Sequence, residues 1–102
     1  MKNLLRIKTI INHLQDKDLS ISFNEDEFGI SRYVSHVSKT GEELNELLCD
    51  ELIDKSGILI MENVLILKEE GLIKDIIIGD SDSFGILTLV IKFNDNTGMV
   101  IG

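Results

Sequence analysis

Apolar residues recur at Leu4, Ile7, Ile11 and Leu14, the i, i+3, i+7, i+10 spacing of one helical stripe, and predict a helix over 2–15. Leu5 and Ile10 widen the stripe, and Asp16-Lys17-Asp18 closes the segment. Residues 19–23, Leu-Ser-Ile-Ser-Phe, alternate with a period of two and predict a short strand. Asn24-Glu25-Asp26-Glu27 reads as a polar turn or the start of a short helix. Over 30–39, Ile30, Tyr33, Val34 and Val37 match the helical template; the β-branched content would also suit a strand, and the periodicity favours helix. The clearest helix covers 41–54, with Leu44, Leu47, Leu48 and Leu52 as its buried stripe and Thr40-Gly41-Glu42-Glu43 as a capping box with Thr40 at the N-cap.

Residues 58–70 read as a further helix ending at Gly71, a left-handed C-cap residue, in preference to a hairpin turning on Glu62-Asn63, a poor pair for a tight turn. The C-terminal third reads as strand. Residues 73–79 and 85–93 flank the loop Asp80-Ser81-Asp82-Ser83, with Leu87, Leu89, Ile91 and Phe93 on one face of the second run. Residues 99–101 return after the turn Asn94-Asp95-Asn96-Thr97-Gly98. The order of elements predicts a single α+β domain over 1–102, a small antiparallel sheet of about three to five strands against about two to four helices.

A length of 102 residues and a hydrophobic share of 43% suit one folded domain with its own core. The apolar runs at 57–61 and 64–67 fall far below the roughly 18 residues of a membrane-spanning helix. The first residues lack the uninterrupted apolar stretch of a signal peptide, and Cys49 has no second cysteine to pair with. These features predict a cytoplasmic protein with no membrane partner.

The charge is −8, and it is uneven. Residues 1–39 are close to neutral, whereas Lys55, Lys68, Lys74 and Lys92 are the whole positive complement of 40–102, where most of the carboxylates lie. That excess disfavours nucleic acid as a partner, because a polyanion binds by exchanging counterions for Lys and Arg.

Candidate chemistry is sparse. Asp80-Ser81-Asp82-Ser83-Phe84-Gly85 begins like a calcium loop, but Phe84 and Ile91 occupy the positions that need an oxygen ligand and a bidentate Glu. Cys49, His13 and His36 lack zinc-ligand spacing. No nucleophile elbow or phosphate loop occurs, and 5% aromatics offer little to line a cleft. The sequence predicts no metal, no cofactor and no enzyme activity.

Residues 27–37, Glu-Phe-Gly-Ile-Ser-Arg-Tyr-Val-Ser-His-Val, resemble helix-turn-helix regulators, in which Gly-hydrophobic-Ser-Arg opens the recognition helix. Glu25, Asn24 and Ser35 depart from the small and apolar residues that pattern uses. The resemblance implies Arg32, His36 and Lys39 as DNA contacts and a homodimer as the acting form. It is the alternative reading, beside that of a non-catalytic subunit or interaction domain.

The unusual feature is the helix at 41–54. Glu42, Glu46, Asp50 and Asp54 stand four apart, Glu43 and Glu51 lie beside them, and no Lys or Arg interrupts the segment. Like charges at i, i+4 each cost about 0.2–0.5 kcal/mol, so three pairs cost roughly 1 kcal/mol. Glu42, Glu43 and Glu46 recover part of this from the helix dipole, which Asp50, Glu51 and Asp54 oppose. A stripe that is locally unfavourable suits recognition of a basic surface. The leading expectation is therefore a small acidic binding protein that neutralises a basic, nucleic-acid-acting protein such as a nuclease toxin, as an inhibitor, immunity protein or antitoxin does. The missing ligand sets generate the first prediction: EDTA leaves the melting temperature unchanged, and a substantial drop would show a structural metal.

Overall fold

A computed structural model describes residues 1–22, 24–79 and 88–102. Among them the chain runs α1 (Leu4–Asn12), a single 3-10 turn (Asp16–Asp18), β1 (Leu19–Ile21), β2 (Arg32–Val34), α2 (Lys39–Leu52), α3 (Met61–Glu69), β3 (Ile73–Ile78), β4 (Leu89–Phe93) and β5 (Thr97–Ile101). The strands form one sheet in the order β1-β2-β5-β4-β3. The α+β architecture read from the sequence is present, but the sheet is mixed. Three of its pairings are antiparallel, and β2 runs parallel to β5, with Arg32 opposite Thr97 and Tyr33 opposite Gly98. A parallel pair cannot be closed by a tight turn, and here α2, α3, β3 and β4 all intervene between the two strands.

Alternation along the central strands sorts the two faces. Leu89, Ile91 and Phe93 of β4 and Met99 and Ile101 of β5 point to one side and join Ile7, Ile10, Leu44, Leu48, Leu52, Val64 and Leu67 of the helices in one core. The opposite face carries Lys92, Gly98 and Tyr33 and is covered by the loop at 24–31. Ile30 is fully buried there, and a Cβ on Gly98 would meet its Cδ1 at 2.6 Å, so the strand comes that close to the loop because position 98 has no side chain. Asp26 organises the loop. Its Oδ1 accepts the N–H groups of Phe28 (2.9 Å) and Ile30 (3.1 Å), its Oδ2 accepts the Tyr33 hydroxyl, and Gly29 supplies a φ of +75°. Lys92 Nζ reaches across to donate to the Phe28 carbonyl at 3.0 Å.

Four expectations need correction. The segment expected as a helix over 30–39 contains β2. Of the four template positions, Val34 enters the helical core, Ile30 is buried on the opposite face and Val37 is 93% exposed, so no common stripe exists. Pairing on both sides, to β1 and β5, overrides a local periodicity that spans ten residues. α2 starts two residues earlier than expected, with Ser38 rather than Thr40 as N-cap: the Ser38 hydroxyl accepts the Gly41 N–H at 2.9 Å and donates to the Ser35 carbonyl at 3.0 Å. α2 also stops at Leu52, because Ile53 turns extended to bridge Leu59. Asp54 therefore lies in a turn, where its Oδ1 accepts the N–H groups of Ser56 (2.8 Å) and Ile58 (2.9 Å). α1 is shorter than 2–15, since Gln15 N–H bonds Asp18 Oδ2 at 3.1 Å and begins the 3-10 turn that feeds β1.

The strand at 19–23 is present over Leu19–Ile21, the helix expected within 58–70 is α3, and the strands at 73–79 and 85–93 correspond to β3 and β4. Phe23, the calcium-like segment at 80–85 and Leu87 lie outside the described residues.

The entry to α2 generates a prediction whose sign is decided by space. Alanine is favoured over glycine inside a helix by about 1 kcal/mol. A Cβ at Gly41, however, would stand 1.8 Å from the backbone oxygen of Ser35, where no side-chain motion relieves it. Gly41→Ala is expected to lower the unfolding free energy by about 2–3 kcal/mol, the scale of core overpacking. An unchanged or raised urea midpoint would contradict this account of how β2 hands over to α2.

Candidate functional site

The leucine stripe of α2 fixes where its carboxylates go. Leu44, Leu48 and Leu52 face the core with no exposure. At about 100° per residue, Glu43, Leu47 and Glu51 fall on one flank, and Glu42, Glu46 and Asp50 fall on the side opposite the core. The contacts agree with that division.

The flank belongs to α1. Arg6 donates to Glu43 through two bonds, Nε to Oε2 at 2.8 Å and a terminal nitrogen to Oε1 at 2.7 Å, in the fork geometry that suits guanidinium and carboxylate. This hydrogen bond, the burial that partly opposes it, and the charges of Arg6 and Lys39 together hold the Glu43 carboxyl below the usual glutamate range. Glu51 is 8% exposed, and its Oε1 accepts the backbone N–H of Asn3 at 3.0 Å, at the N-terminus of α1. A carboxylate there satisfies an orphan donor and faces the positive end of the helix dipole. The same residue's carbonyl accepts Asn63 Nδ2 at 2.6 Å, which ties α2 to α3.

The six carboxylates expected as one recognition face therefore separate. Glu43 and Glu51 join α2 to α1, and Asp54 shapes the turn beyond the helix. Glu42, Glu46 and Asp50 remain exposed on the outward side. Successive members lie about 6 Å apart along the axis. None of the three makes an ion pair or side-chain hydrogen bond among the described residues; the ion pairs present are Arg6–Glu43, Lys8–Glu70, Arg32–Asp16 and Lys68–Asp75.

The alternative set does not share a helix. Arg32 lies in β2 and donates to Asp16 at 3.1 Å, His36 is exposed in the bend that follows, and Lys39 is the first residue of α2. The segment at 24–39, which resembles a helix-turn-helix, is instead a loop, a strand and a bend. It has no recognition helix to insert into a groove.

Two roles lie outside the residues singled out from the sequence. Glu51 acts on Asn3, 48 residues away, so no window of sequence reveals it. Asp26 was visible as part of a polar turn, and the Asp-x-x-Gly spacing to Gly29 is the signal for its loop.

A hollow of about 260 Å³ lies between the C-terminal end of α1 and the β4–β5 turn, lined by Ile11, Leu14, Leu72, Phe93, Asn94 and Asp95 among others. Three of its polar side chains are engaged locally: Asn94 donates to the Gly71 carbonyl, and Asp95 Oδ1 accepts both the N–H and the hydroxyl of Thr97. Cys49 is half-buried beside Asn45, and burial pushes its thiol above the usual range. Among the described residues no group of three or more His, Cys, Asp or Glu side chains could hold a metal ion, and no helix is long and apolar enough to cross a membrane.

Comparison of the chain with protein-family models, with curated proteins and with solved structures finds no match in any of the three.

The Arg6–Glu43 bond generates a pH prediction. Because the folded-state pKa of Glu43 is depressed, the stability it contributes is present above about pH 4.5 and is lost as pH falls through the lowered value. Arg6→Gln is expected to lower the urea midpoint at pH 7 by a small amount, as befits an exposed pair, and the difference from wild type should shrink below about pH 4.5. A difference that persists undiminished at pH 2.5 would mean that Arg6 acts through packing and not through Glu43.

Proposed function

We propose that this protein is a non-catalytic binding protein that uses the outward side of α2, carrying Glu42, Glu46 and Asp50, to dock a basic surface of another protein. The observation that carries the reading is the division of α2's carboxylates. Contacts within the fold account for Glu43, Glu51 and Asp54, and for none of the other three. Those three lie in one row on a rigid helix, and the two i, i+4 repulsions among them cost about 0.4–1 kcal/mol in the free protein. A partner that supplies Lys or Arg along the row would relieve this repulsion as it binds.

A partner whose own substrate is a polyanion presents such a surface, so inhibition of a nucleic-acid-acting protein, such as a nuclease toxin, follows as the biological role. Immunity proteins and antitoxins work in this way. Steering by a charge of −8 would speed encounter with a basic target. The single cysteine suits the cytoplasm as the place of action. Nothing in this reading requires self-association, because all three carboxylates belong to one protomer.

The test is the double variant Glu46→Gln/Asp50→Asn, which nearly preserves shape. Wild type and variant are immobilised in parallel and exposed to extract of the source cell. The protein retained by wild type is identified and purified, and its binding kinetics are measured at low and moderate salt. The expected partner is basic. The variant should bind it at least about tenfold more weakly, chiefly through a slower association rate and with a shallower salt dependence. Equal affinity and equal salt dependence for the two forms would reject the assignment and leave the acidic row as a solvated face.

A further inference from the structure

A second surface of the molecule is apolar and has no cover among the described residues. β3 is an edge strand, and such edges are ordinarily guarded by charges, bulges or overlying structure. Its first half is guarded: the pairing with β4 shifts register between Ile73 and Asp75, Lys74 is exposed, and Asp75 is bridged at 3.7 Å by Lys68 of α3. Its second half is Ile76-Ile77-Ile78, with no charge and no irregularity, and Ile78 is 61% exposed.

Beside that half runs an apolar row of α3. Met61, Leu65 and Lys68 share one stripe at i, i+4, i+7, and Lys68 reaches Asp75, so the stripe overhangs the β3 edge. Helix and strand run in opposite directions across the short turn at Glu70–Leu72. Met61 and Leu65, 56% and 55% exposed, therefore continue from Lys68 towards the Ile78 end.

We propose that this surface is a homodimer interface, in which β3 pairs antiparallel with β3 of a second copy about a two-fold axis through Ile77, and α3 packs against α3 of that copy. A second copy is the occupant because the surface complements itself in both layers about one axis. A two-fold normal to the sheet preserves its faces, so some residue must sit opposite itself. Centring on Asp75 sets two carboxylates against each other. Centring on Ile76 places Lys74 opposite Ile78 and Asp75 opposite Ile77. Centring on Ile77 places Ile76 opposite Ile78 twice and leaves Asp75 opposite Gly79, where no side chain opposes it.

The helical layer selects the same axis. From Asp75 to Ile77 the strand rises about 6.6 Å, which a helix covers in about four residues. Counting back from Lys68, the level of Ile77 is that of Val64. Met61 and Leu65 straddle that level, so the two-fold that joins the strands brings Met61 of each copy against Leu65 of the other. The interface uses no residue of the acidic row on α2. Each copy carries a charge of −8, so added salt should strengthen the dimer, the reverse of its effect on a basic partner at α2.

Sedimentation equilibrium of the full chain from about 1 to about 200 μM is expected to show a monomer–dimer equilibrium that stops at two copies. Leu65→Lys and Ile78→Lys, both at exposed positions, should leave the circular dichroism spectrum intact and weaken dimerisation by about tenfold or more. In a Cys49→Ser background, Ile77→Cys should form a disulfide dimer on mild oxidation. Directly opposite Cα atoms lie about 4.5–5.5 Å apart, within disulfide reach, while Leu5→Cys on α1 should not cross-link. A wild-type monomer throughout the range would overturn the proposal, as would association undiminished in both lysine variants. Open-ended growth would also overturn it, since that requires β3 to pair with a different edge.

Discussion

Leu44, Leu48 and Leu52 are fully buried, and the burial of that one stripe sets the direction of every other side chain on α2. Each leucine so buried contributes about 1.5–3 kcal/mol, against less than about 1 kcal/mol of like-charge repulsion along the outward row. Packing therefore decides the orientation of the helix, and the carboxylates follow from it. The entry point sharpens the constraint. Gly41 passes so close to the Ser35 carbonyl that α2 can start at one place only, with Ser38 as its cap.

From that fixed helix the remaining helical layer is built outward. α1 is held against α2 by Arg6 at one end and by Glu51 at the other, and Asn63 anchors α3 to the last turn of α2. The sheet receives this layer on one face, while Ile30, Asp26 and Lys92 close part of the other. What these contacts leave over is informative. The outward row of α2 is charged and makes no ion pair among the described residues, whereas the α3–β3 flank is apolar. The two surfaces differ so strongly in chemistry that they suit different occupants.

The elements most legible in the sequence were those whose buried stripe is local. The leucines of α2 and the alternation of β4 are carried by contiguous residues, and the structure uses them as read, whereas β5 takes in Thr97 and Gly98, which read as turn. β2 was misread as helix because its three residues are decided by neighbours at 19–21 and 97–98, distant in sequence. The parallel pairing to β5 was invisible for the same reason. The acidic segment was legible as a composition, but its partition was not. Whether a glutamate on α2 meets Arg6, caps α1 or faces water depends on where α1 docks, and no spacing within 41–54 encodes that. Asp54 was displaced from the row by the bridge from Ile53 to Leu59, again a contact made outside the helix.

α2 and the turn that follows it carry two kinds of carboxylate, one that holds the fold and one that is free of it. The most direct test of this division is a neutralisation scan, with Glu42, Glu43, Glu46, Asp50, Glu51 and Asp54 each changed singly to Gln or Asn and the unfolding free energy read from urea melts at pH 7. Glu51→Gln should cost about 1–3 kcal/mol, as expected for loss of a buried charged acceptor, and Glu43→Gln and Asp54→Asn should also destabilise. Glu46→Gln and Asp50→Asn should leave stability level or raise it by a few tenths of a kcal/mol, and Glu42→Gln, which gives up a first-turn dipole interaction as it relieves one repulsion, should change it by less than about 0.5 kcal/mol. A loss at Glu46 or Asp50 as large as that at Glu51 would contradict the division and show that the outward row serves the fold.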